Sequence, residues 1–77
     1  MTVHELKIQP EYFREVFLGN KTFEIRKNDR GFHVGDTLIL KEFSPENRFY
    51  TGRALARKIT YMTEFQQKTG YVVLAIN

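Results

Sequence analysis

The architecture of this chain depends on one segment, Gly19-Asn20-Lys21-Thr22-Phe23-Glu24-Ile25-Arg26. Gly19 stands where a residue in the left-handed conformation commonly ends a helix. From Lys21 onward, charged and apolar residues alternate with a period of two, which is typical of a strand. The segment therefore predicts a helix that ends near Gly19 and a strand that runs from Lys21 to about Lys27.

Upstream of this segment, the pattern predicts a short strand followed by the helix. Residues Val3–Ile8 alternate in the manner of a strand, with His4 in phase with the apolar positions. Pro10 suits the first position of a helix. After it, apolar residues recur at helical spacing and form one stripe, made of Tyr12, Phe13, Val16 and Phe17.

Downstream, the pattern predicts three more strands, at residues 37–43, 50–62 and 71–76, separated by turn-forming and polar segments. The second of them contains Gly52, which favours a bulge. Five strands in a flat sheet of this size would leave open edges, which invite aggregation. We therefore expect a mostly β, α+β fold, in which a highly curved sheet or closed barrel is plugged by the helix.

The composition sets limits on the class of protein. A chain of 77 residues predicts a single domain over residues 1–77, with a core drawn from its seven Phe and four Tyr. It has no cysteine and two histidines, so we expect no metal site and no cofactor. No signal peptide or membrane span is recognisable, which favours a cytoplasmic location. The last predicted strand ends next to Asn77, and continuation of the native chain beyond it stays open.

The charges of the central strand allow two interpretations. Thr22, Glu24 and Arg26 share one face, and the apolar residues between them point the opposite way. The charged face is either a solvated surface, where an ion pair contributes at most about 1 kcal/mol, or part of a binding site. In a site, Lys21 and Arg26 would donate hydrogen bonds to a phosphate or base carbonyl. Glu24 would orient them or accept a proton from an exocyclic amine.

Three further residues are candidates for the same site. His4 shares a face with apolar residues, which favours a buried imidazole, but its position keeps it as a possible cleft residue. Lys7 lies on the opposite face of that strand, where a solvated charge is common. Arg30, in the turn at 28–31, is placed to close over a ligand held by the central strand.

A basic stretch follows later in the chain, with aromatic residues between its cations. Cations follow phosphates and aromatic rings stack on bases, so this arrangement suits single-stranded nucleic acid. The alternative is that Leu55, Ile59 and Tyr61 form a core face, with one of the arginines in the same phase. The net charge of +3 favours polyanions only slightly. The candidate residues of this surface are Arg48, Tyr50, Arg53 and Arg57.

The motif Gly19-x-Lys21-x-x-Glu24-x-Arg26, placed directly after a helix, resembles the signature of the ASCH (activating signal cointegrator homology) domain of the PUA-like superfamily. The resemblance extends over most of the chain, through residues 4–8, 21–30, 34–36 and 50–53, and is greatest to a compact bacterial and phage-associated subfamily of unknown function. It implies a PUA-like pseudo-barrel of five to six strands with one main helix near the N-terminus. A cleft lined by the motif would lie beside that helix.

The resemblance also implies a function, because members of that family are thought to bind RNA or modified nucleosides. Some small bacterial relatives hydrolyse N4-acetylcytidine with the motif lysine, a threonine three residues later and a glutamate from a distant strand. In this chain Lys21 matches, but Glu24 stands at the nucleophile position and residues 71–76 contain no acid. We therefore expect an RNA- or nucleotide-binding module rather than an enzyme, with ligand-binding residues Lys21, Glu24, Arg26, His4, Lys7 and Arg30.

Two alternatives remain open. One is an amidohydrolase acting on N4-acylated cytidine, in which Lys21 would activate Thr22, or Glu24 would activate a water. The other is a protein-interaction module that uses an exposed strand edge or an aromatic patch.

Overall fold

The computed structural model describes residues 1–77 and contains five strands and one helix. The fold is mostly β, of the α+β class, as the sequence predicts. The single helix is not long and apolar enough to cross a membrane, and a cytoplasmic location stays a prediction. The elements in chain order are β1 (Val3–Ile8), α1 (Pro10–Phe17), β2 (Phe23–Lys27), β3 (Thr37–Ser44), β4 (Phe49–Thr63) and β5 (Tyr71–Ile76).

The helix ends where the sequence predicts, but β2 begins two residues later than expected. Gly19 takes a φ of +82°, a conformation that glycine adopts without strain. The N–H groups of Asn20 and Lys21 both donate to the carbonyl of Glu15, at 2.9 and 3.0 Å. Because these groups still bond to the last turn of α1, the extended strand starts only at Phe23.

The five strands form one sheet in the order β1-β3-β4-β5-β2. Only β1 and β3 pair in parallel, and the other neighbours are antiparallel. The long strand β4 pairs with β3 through its first part and with β5 through its last part. The strand β4 therefore joins two halves of the sheet, one formed with β1 and β3 and the other with β5 and β2. The strands β1 and β2 are the edges of the sheet. This arrangement is consistent with a small pseudo-barrel.

Arginine side chains join the two edges. Alternate backbone groups of β1 bond to β3, so those of Glu5 and Lys7 point toward the open edge. Arg30 Nη1 donates to the carbonyl of Glu5 at 2.8 Å, and Arg26 Nη2 donates to the carbonyl of Lys7 at 2.6 Å. The strands β1 and β2 are the two ends of the strand order. They are therefore joined by these side-chain hydrogen bonds rather than by backbone pairing.

The core is aliphatic rather than aromatic, contrary to the expectation from composition. Its buried side chains are mostly Leu, Ile and Val from alternate positions of the strands, and α1 adds Phe13 and Val16. Of the seven Phe and four Tyr, only Phe13 and Phe32 are buried. The interior of so small a curved sheet is filled by aliphatic side chains, and most of the aromatic rings therefore lie at the surface.

The predicted bulge at Gly52 is confirmed. Residues 51–53 of β4 lie opposite a single residue of β3, Glu42. Gly52 has a φ of +97° there, a conformation that other residues rarely adopt. The bulge turns Thr51 and Arg53 toward the Glu42 side chain.

A second irregularity shows that the alternative of a core face formed by Leu55, Ile59 and Tyr61 is wrong at Tyr61. The register between β4 and β5 shifts between Ile59 and Tyr61, because Thr60 is an extra residue. Ile59 is fully buried as expected, but the shift reverses the phase that follows, and Tyr61 is 66% exposed. Met62 packs against the core in its place.

Candidate functional site

The charged face of β2 points into the protein, and its apolar face points out. Glu24 is only 4% exposed, whereas Phe23 and Ile25 are 43% and 52% exposed. The interpretation of the charged residues as a solvated outer face is therefore wrong. Burial of a carboxylate is costly unless the group is paired and hydrogen-bonded, so the partners of Glu24 explain how this orientation is stable.

Glu24 lies between two cations, each of which also serves the backbone. Lys21 Nζ donates to Glu24 Oε1 and, at 2.7 Å, to the carbonyl of Phe23. Arg26 Nε donates to Glu24 Oε2 at 2.9 Å, while its Nη2 holds the carbonyl of Lys7. The Lys21 and Arg26 side chains are themselves only 17% and 27% exposed. The fold thus brings together the three predicted residues of the motif in one ion-paired cluster.

This cluster lies in a cleft of about 470 Å³ between the end of β1, α1 and β2. Three cations line the cleft against one carboxylate, which leaves an excess of positive charge. Two exposed rings stand beside the central lysine, because Lys21 Nζ lies 5.7 Å from the Tyr12 centroid and 4.9 Å from that of Phe23. The lining residues are Lys7, Ile8, Gln9, Tyr12, Lys21, Phe23, Glu24, Ile25 and Arg26.

A smaller hollow of about 350 Å³ adjoins the cleft and shares Lys7 and Arg26 with it. Its charged lining consists of four cations and one carboxylate, and Arg30 is among them. The hollow therefore extends the positive charge of the cleft across the β1 edge. Its remaining lining residues are Glu5, Leu6, Lys41 and Tyr50.

His4 is buried as predicted, but it does not line the cleft. Its Nε2 lies 2.9 Å from Asp36 Oδ2, and its ring packs edge-on against Phe32 with centroids 4.7 Å apart. The hydrogen bond from His4, with others from the Thr2 and His33 N–H groups, lowers the pKa of Asp36 from 3.8 to about 2 against the opposing effect of burial. His4 therefore anchors β1 to the start of β3.

The four residues of the predicted basic surface make different contacts. Arg48 is exposed in the turn before β4, and Tyr50 lines the small hollow. Arg57 Nη2 donates to the carbonyl of Val16 at 3.3 Å and so caps the end of α1. Arg53 pairs with a buried carboxylate at the bulge. Arg53 and Arg57 both contact α1, and a nucleic-acid surface formed by the four residues stays a prediction.

That carboxylate belongs to Glu42, which sequence reasoning missed. Glu42 is 1% exposed and accepts hydrogen bonds from Thr51 Oγ1 at 2.6 Å and from Arg53 Nε and Nη2, both at 2.9 Å. The bonds from Arg53 and then Thr51 lower the pKa of Glu42. A signal for it was present, because Glu42 is in phase with the buried Leu38 and Leu40 on β3.

Glu42 opens onto a second groove on the other side of α1, where the Arg53 guanidinium lies 5.0 Å from the Phe13 ring centroid. The groove is larger than the cleft, at about 1050 Å³. Size does not make it the better anion site, because its charges cancel. Its charged lining residues are Glu11, Arg14, Glu42 and Arg53.

The residues of the hydrolase alternative come together only in part. Lys21 and Glu24 are bonded to each other in the cleft. Thr22 is exposed just before β2 and is not among the lining residues. Sequence reasoning also missed the aromatic walls of the cleft, since the exposure of Tyr12 on α1 depends on how the helix sits against the sheet.

Comparisons with known proteins identify a family and a relative whose descriptions give no function. A family model described as a domain of unknown function, DUF3850, matches residues 3–76. A protein of Escherichia phage P2, described as an uncharacterized 12.9 kDa protein in the GpA 3′ region, is 42% identical over 62 residues. That match covers 80% of this chain but only 55% of the phage protein. The resemblance to the ASCH domain therefore stays a prediction.

Proposed function

This chain belongs to the DUF3850 family, a domain of unknown function, and we propose that it binds RNA or a nucleotide-like ligand in the cleft between β1 and β2. One observation supports this proposal above all others. Within about 470 Å³, the cleft combines three cations, a buried carboxylate and two exposed aromatic rings. This volume lies within the range of about 300–1,000 Å³ that is usual for small-ligand sites.

The phosphate of the ligand would bind on the β1 side of the cleft. Lys7 and Arg26 line both the cleft and the adjoining hollow, where Arg30 and Lys41 add two more cations. Phosphate oxygens accept hydrogen bonds from such groups, and a planar guanidinium can donate two at once. The excess of positive charge also attracts a polyanion from a distance.

The base would bind on the α1 side, against the rings of Tyr12 and Phe23. Unpaired bases stack on aromatic side chains with a gain of about 1–3 kcal/mol per base. Glu24 lines the same cleft as these two rings. Its two oxygens each accept one bond from a cation, and each carboxylate oxygen has a second lone pair. Glu24 therefore has acceptor capacity left for an exocyclic amine of the base.

The proposal is tested by titrating a nucleoside monophosphate and a short RNA over a series of salt concentrations. We expect Lys21→Ala to weaken binding at every salt concentration. Lys7→Ala, which removes a cation from the phosphate side of the cleft, should also reduce the slope of log affinity against log salt by about one phosphate contact. Lys58→Ala is the matched control, because Lys58 is an exposed lysine outside the cleft and the hollow. Unchanged binding by a folded Lys21→Ala protein would contradict the proposal.

The geometry favours binding over amidohydrolysis. A nucleophilic Thr22 would have to reach a ligand beside Lys21, yet Thr22 is exposed and outside the cleft lining. Lys21 Nζ is already bonded to Glu24 and to a backbone carbonyl. Release of cytidine from N4-acetylcytidine, detected by mass spectrometry, would overturn this preference.

A further inference from the structure

The outer face of the β2, β5 and β4 half of the sheet carries an exposed apolar surface. The strand register places Phe23 opposite Ala75, and Ala75 opposite Tyr61. A second row, Ile25, Val73 and Thr63, lies beside the first, and Lys27 pairs with Tyr71. We call this surface the outer sheet face; its residues are Phe23, Ile25, Lys27, Tyr61, Thr63, Tyr71, Val73 and Ala75.

The rings and aliphatic groups of the outer sheet face are exposed to a degree that requires an explanation. Phe23, Ile25 and Tyr61 are 43%, 52% and 66% exposed. Ala75, the residue between the two rings of the first row, has only a methyl group and is partly exposed. Contiguous apolar groups on a small soluble domain often mark an interaction site.

Lysine side chains lie against the rings at both ends of the outer sheet face. Lys21 Nζ is 4.9 Å from the Phe23 centroid, and Lys68 Nζ is 5.9 Å from that of Tyr71. Lys27 is the strand partner of Tyr71. Aromatic rings that alternate with cations suit single-stranded nucleic acid, because bases stack on the rings while phosphates meet the cations.

The outer sheet face is continuous with the cleft. Phe23 and Ile25 belong to the face and also line the cleft. Tyr61 lies two strands away from Phe23, at a distance of roughly 10 Å given the usual spacing of strands. A ligand of one nucleotide would reach only the cleft, whereas a chain of several nucleotides would extend from it onto the face.

We propose that the outer sheet face binds the continuation of a single-stranded nucleic acid whose first nucleotide occupies the cleft. This inference rests on the proposed function and narrows its ligand from a nucleotide to an oligonucleotide. Stacking on Tyr61 then contributes to the binding of a chain and nothing to the binding of a mononucleotide.

A partner protein that adds a strand to the β2 edge fits the structure less well. The backbone groups of Phe23 and Ile25 point toward that edge, since those of Thr22, Glu24 and Arg26 face β5. The Phe23 carbonyl is already occupied by Lys21 Nζ at 2.7 Å. A lysine on an edge is a common device against strand pairing with another chain.

The test compares a fluorescent ten-residue oligocytidylate with cytidine monophosphate, because cytosine carries the exocyclic amine that Glu24 would bind. We expect Tyr61→Ala to weaken binding of the oligonucleotide about tenfold or more, the loss of one stacked base, and to leave the mononucleotide affinity unchanged. Tyr61→Phe keeps the ring and should bind both probes normally. Phe49→Ala is the matched control, because Phe49 is also an exposed aromatic residue of β4 but lies in the part paired with β3.

The outcomes separate this inference from the proposed function. If Lys21→Ala weakens both probes and Tyr61→Ala weakens neither, the outer sheet face is excluded and the cleft stands. If only Tyr61→Ala has an effect, the face binds the chain without the cleft, and both the proposed function and the inference are overturned. Absence of binding by either probe overturns both proposals. A change in sedimentation mass caused by Tyr61→Ala would show that the face binds a second copy of the chain, and would also overturn the inference.

Discussion

Two buried glutamates, one on each side of α1, are paired with cations in different ways. Glu24 and Glu42 are 4% and 1% exposed, and each is bonded to an arginine. Glu24 is held by two cations that are mostly buried themselves, whereas Arg53, the partner of Glu42, has a side chain that is 67% exposed. The Glu24 cluster therefore holds positive charge inside the protein, and the Glu42 pair holds it at the surface.

The difference also concerns what each cluster connects. Lys21 and Arg26 bond to the carbonyls of Phe23 and Lys7, so the Glu24 cluster joins β2 to the β1 edge. The Glu42 pair links β3 to the bulge of its own neighbour, β4. One carboxylate thus helps to close the sheet and leaves an excess of cations facing a cleft. The other stabilises a local irregularity in a groove whose charges cancel.

The largest effect is expected when either carboxylate is removed. Glu24→Ala leaves two partly buried cations without a counter-charge and should lower the free energy of unfolding by about 3 kcal/mol. Glu42→Ala should cost about half as much, because the exposed Arg53 can turn to solvent. Urea denaturation measures both, with Glu46→Ala in an exposed turn as a neutral control. Equal losses at Glu24 and Glu42 would contradict the comparison.

A smaller effect is expected from changing the arginines. Arg26→Lys keeps a cation beside Glu24 but cannot reach the Lys7 carbonyl at the same time, and should cost about 1 kcal/mol. It should also speed hydrogen exchange in β1 and β2, where the edges meet. Arg53→Lys is the matched variant, because Arg53 bonds to Glu42 and to no backbone carbonyl of an edge strand. It should leave hydrogen exchange in β1 unchanged. Equal exchange in both variants would show that Arg26 does not hold the two edges together.

The sequence predicted the Glu24 cluster because its spacing is local. Lys21, Glu24 and Arg26 lie within six residues at a change from helix to strand, so their proximity follows from one strand. Which face of that strand points into the protein could not be predicted from this spacing. It depends on how far the sheet curls and on the arginine bonds to β1, which join residues 19 apart or more.

The Glu42 pair could not be predicted, because its residues come from two different strands. Thr51 and Arg53 meet Glu42 only because the bulge at Gly52 sets three residues against one. The glycine indicated a bulge, but its register with β3 could not be obtained from one strand alone. The extra residue Thr60 likewise moved Tyr61 from the predicted core to the surface. Irregular register, rather than the identity of the elements, limited what the sequence predicted.

The smallest effect, and the sharpest test of the Glu42 pair, is the pH dependence of Thr51→Val. The pKa of Glu42 is lowered below 4.5, first by Arg53 and then by Thr51. A carboxylate of this kind stabilises the fold fully above its unfolded pKa and loses that contribution as the pH falls toward the folded pKa. Without the Thr51 hydroxyl, the folded pKa moves back toward 4.5, and the variant has less stability to lose.

The stability difference between the wild-type protein and Thr51→Val should therefore be about 0.5 kcal/mol at neutral pH and should shrink as the pH falls below the ordinary value of 4.5. Asp36, with its pKa of about 2, titrates in both proteins and cancels in the difference. Thr60→Val is the control, because the Thr60 hydroxyl donates to the Ala75 carbonyl at 3.3 Å and its loss should be independent of pH. A pH-independent loss at Thr51 would mean that its hydroxyl does not stabilise the ionised form of Glu42. The lowered pKa of Glu42 would then be caused by Arg53 without Thr51.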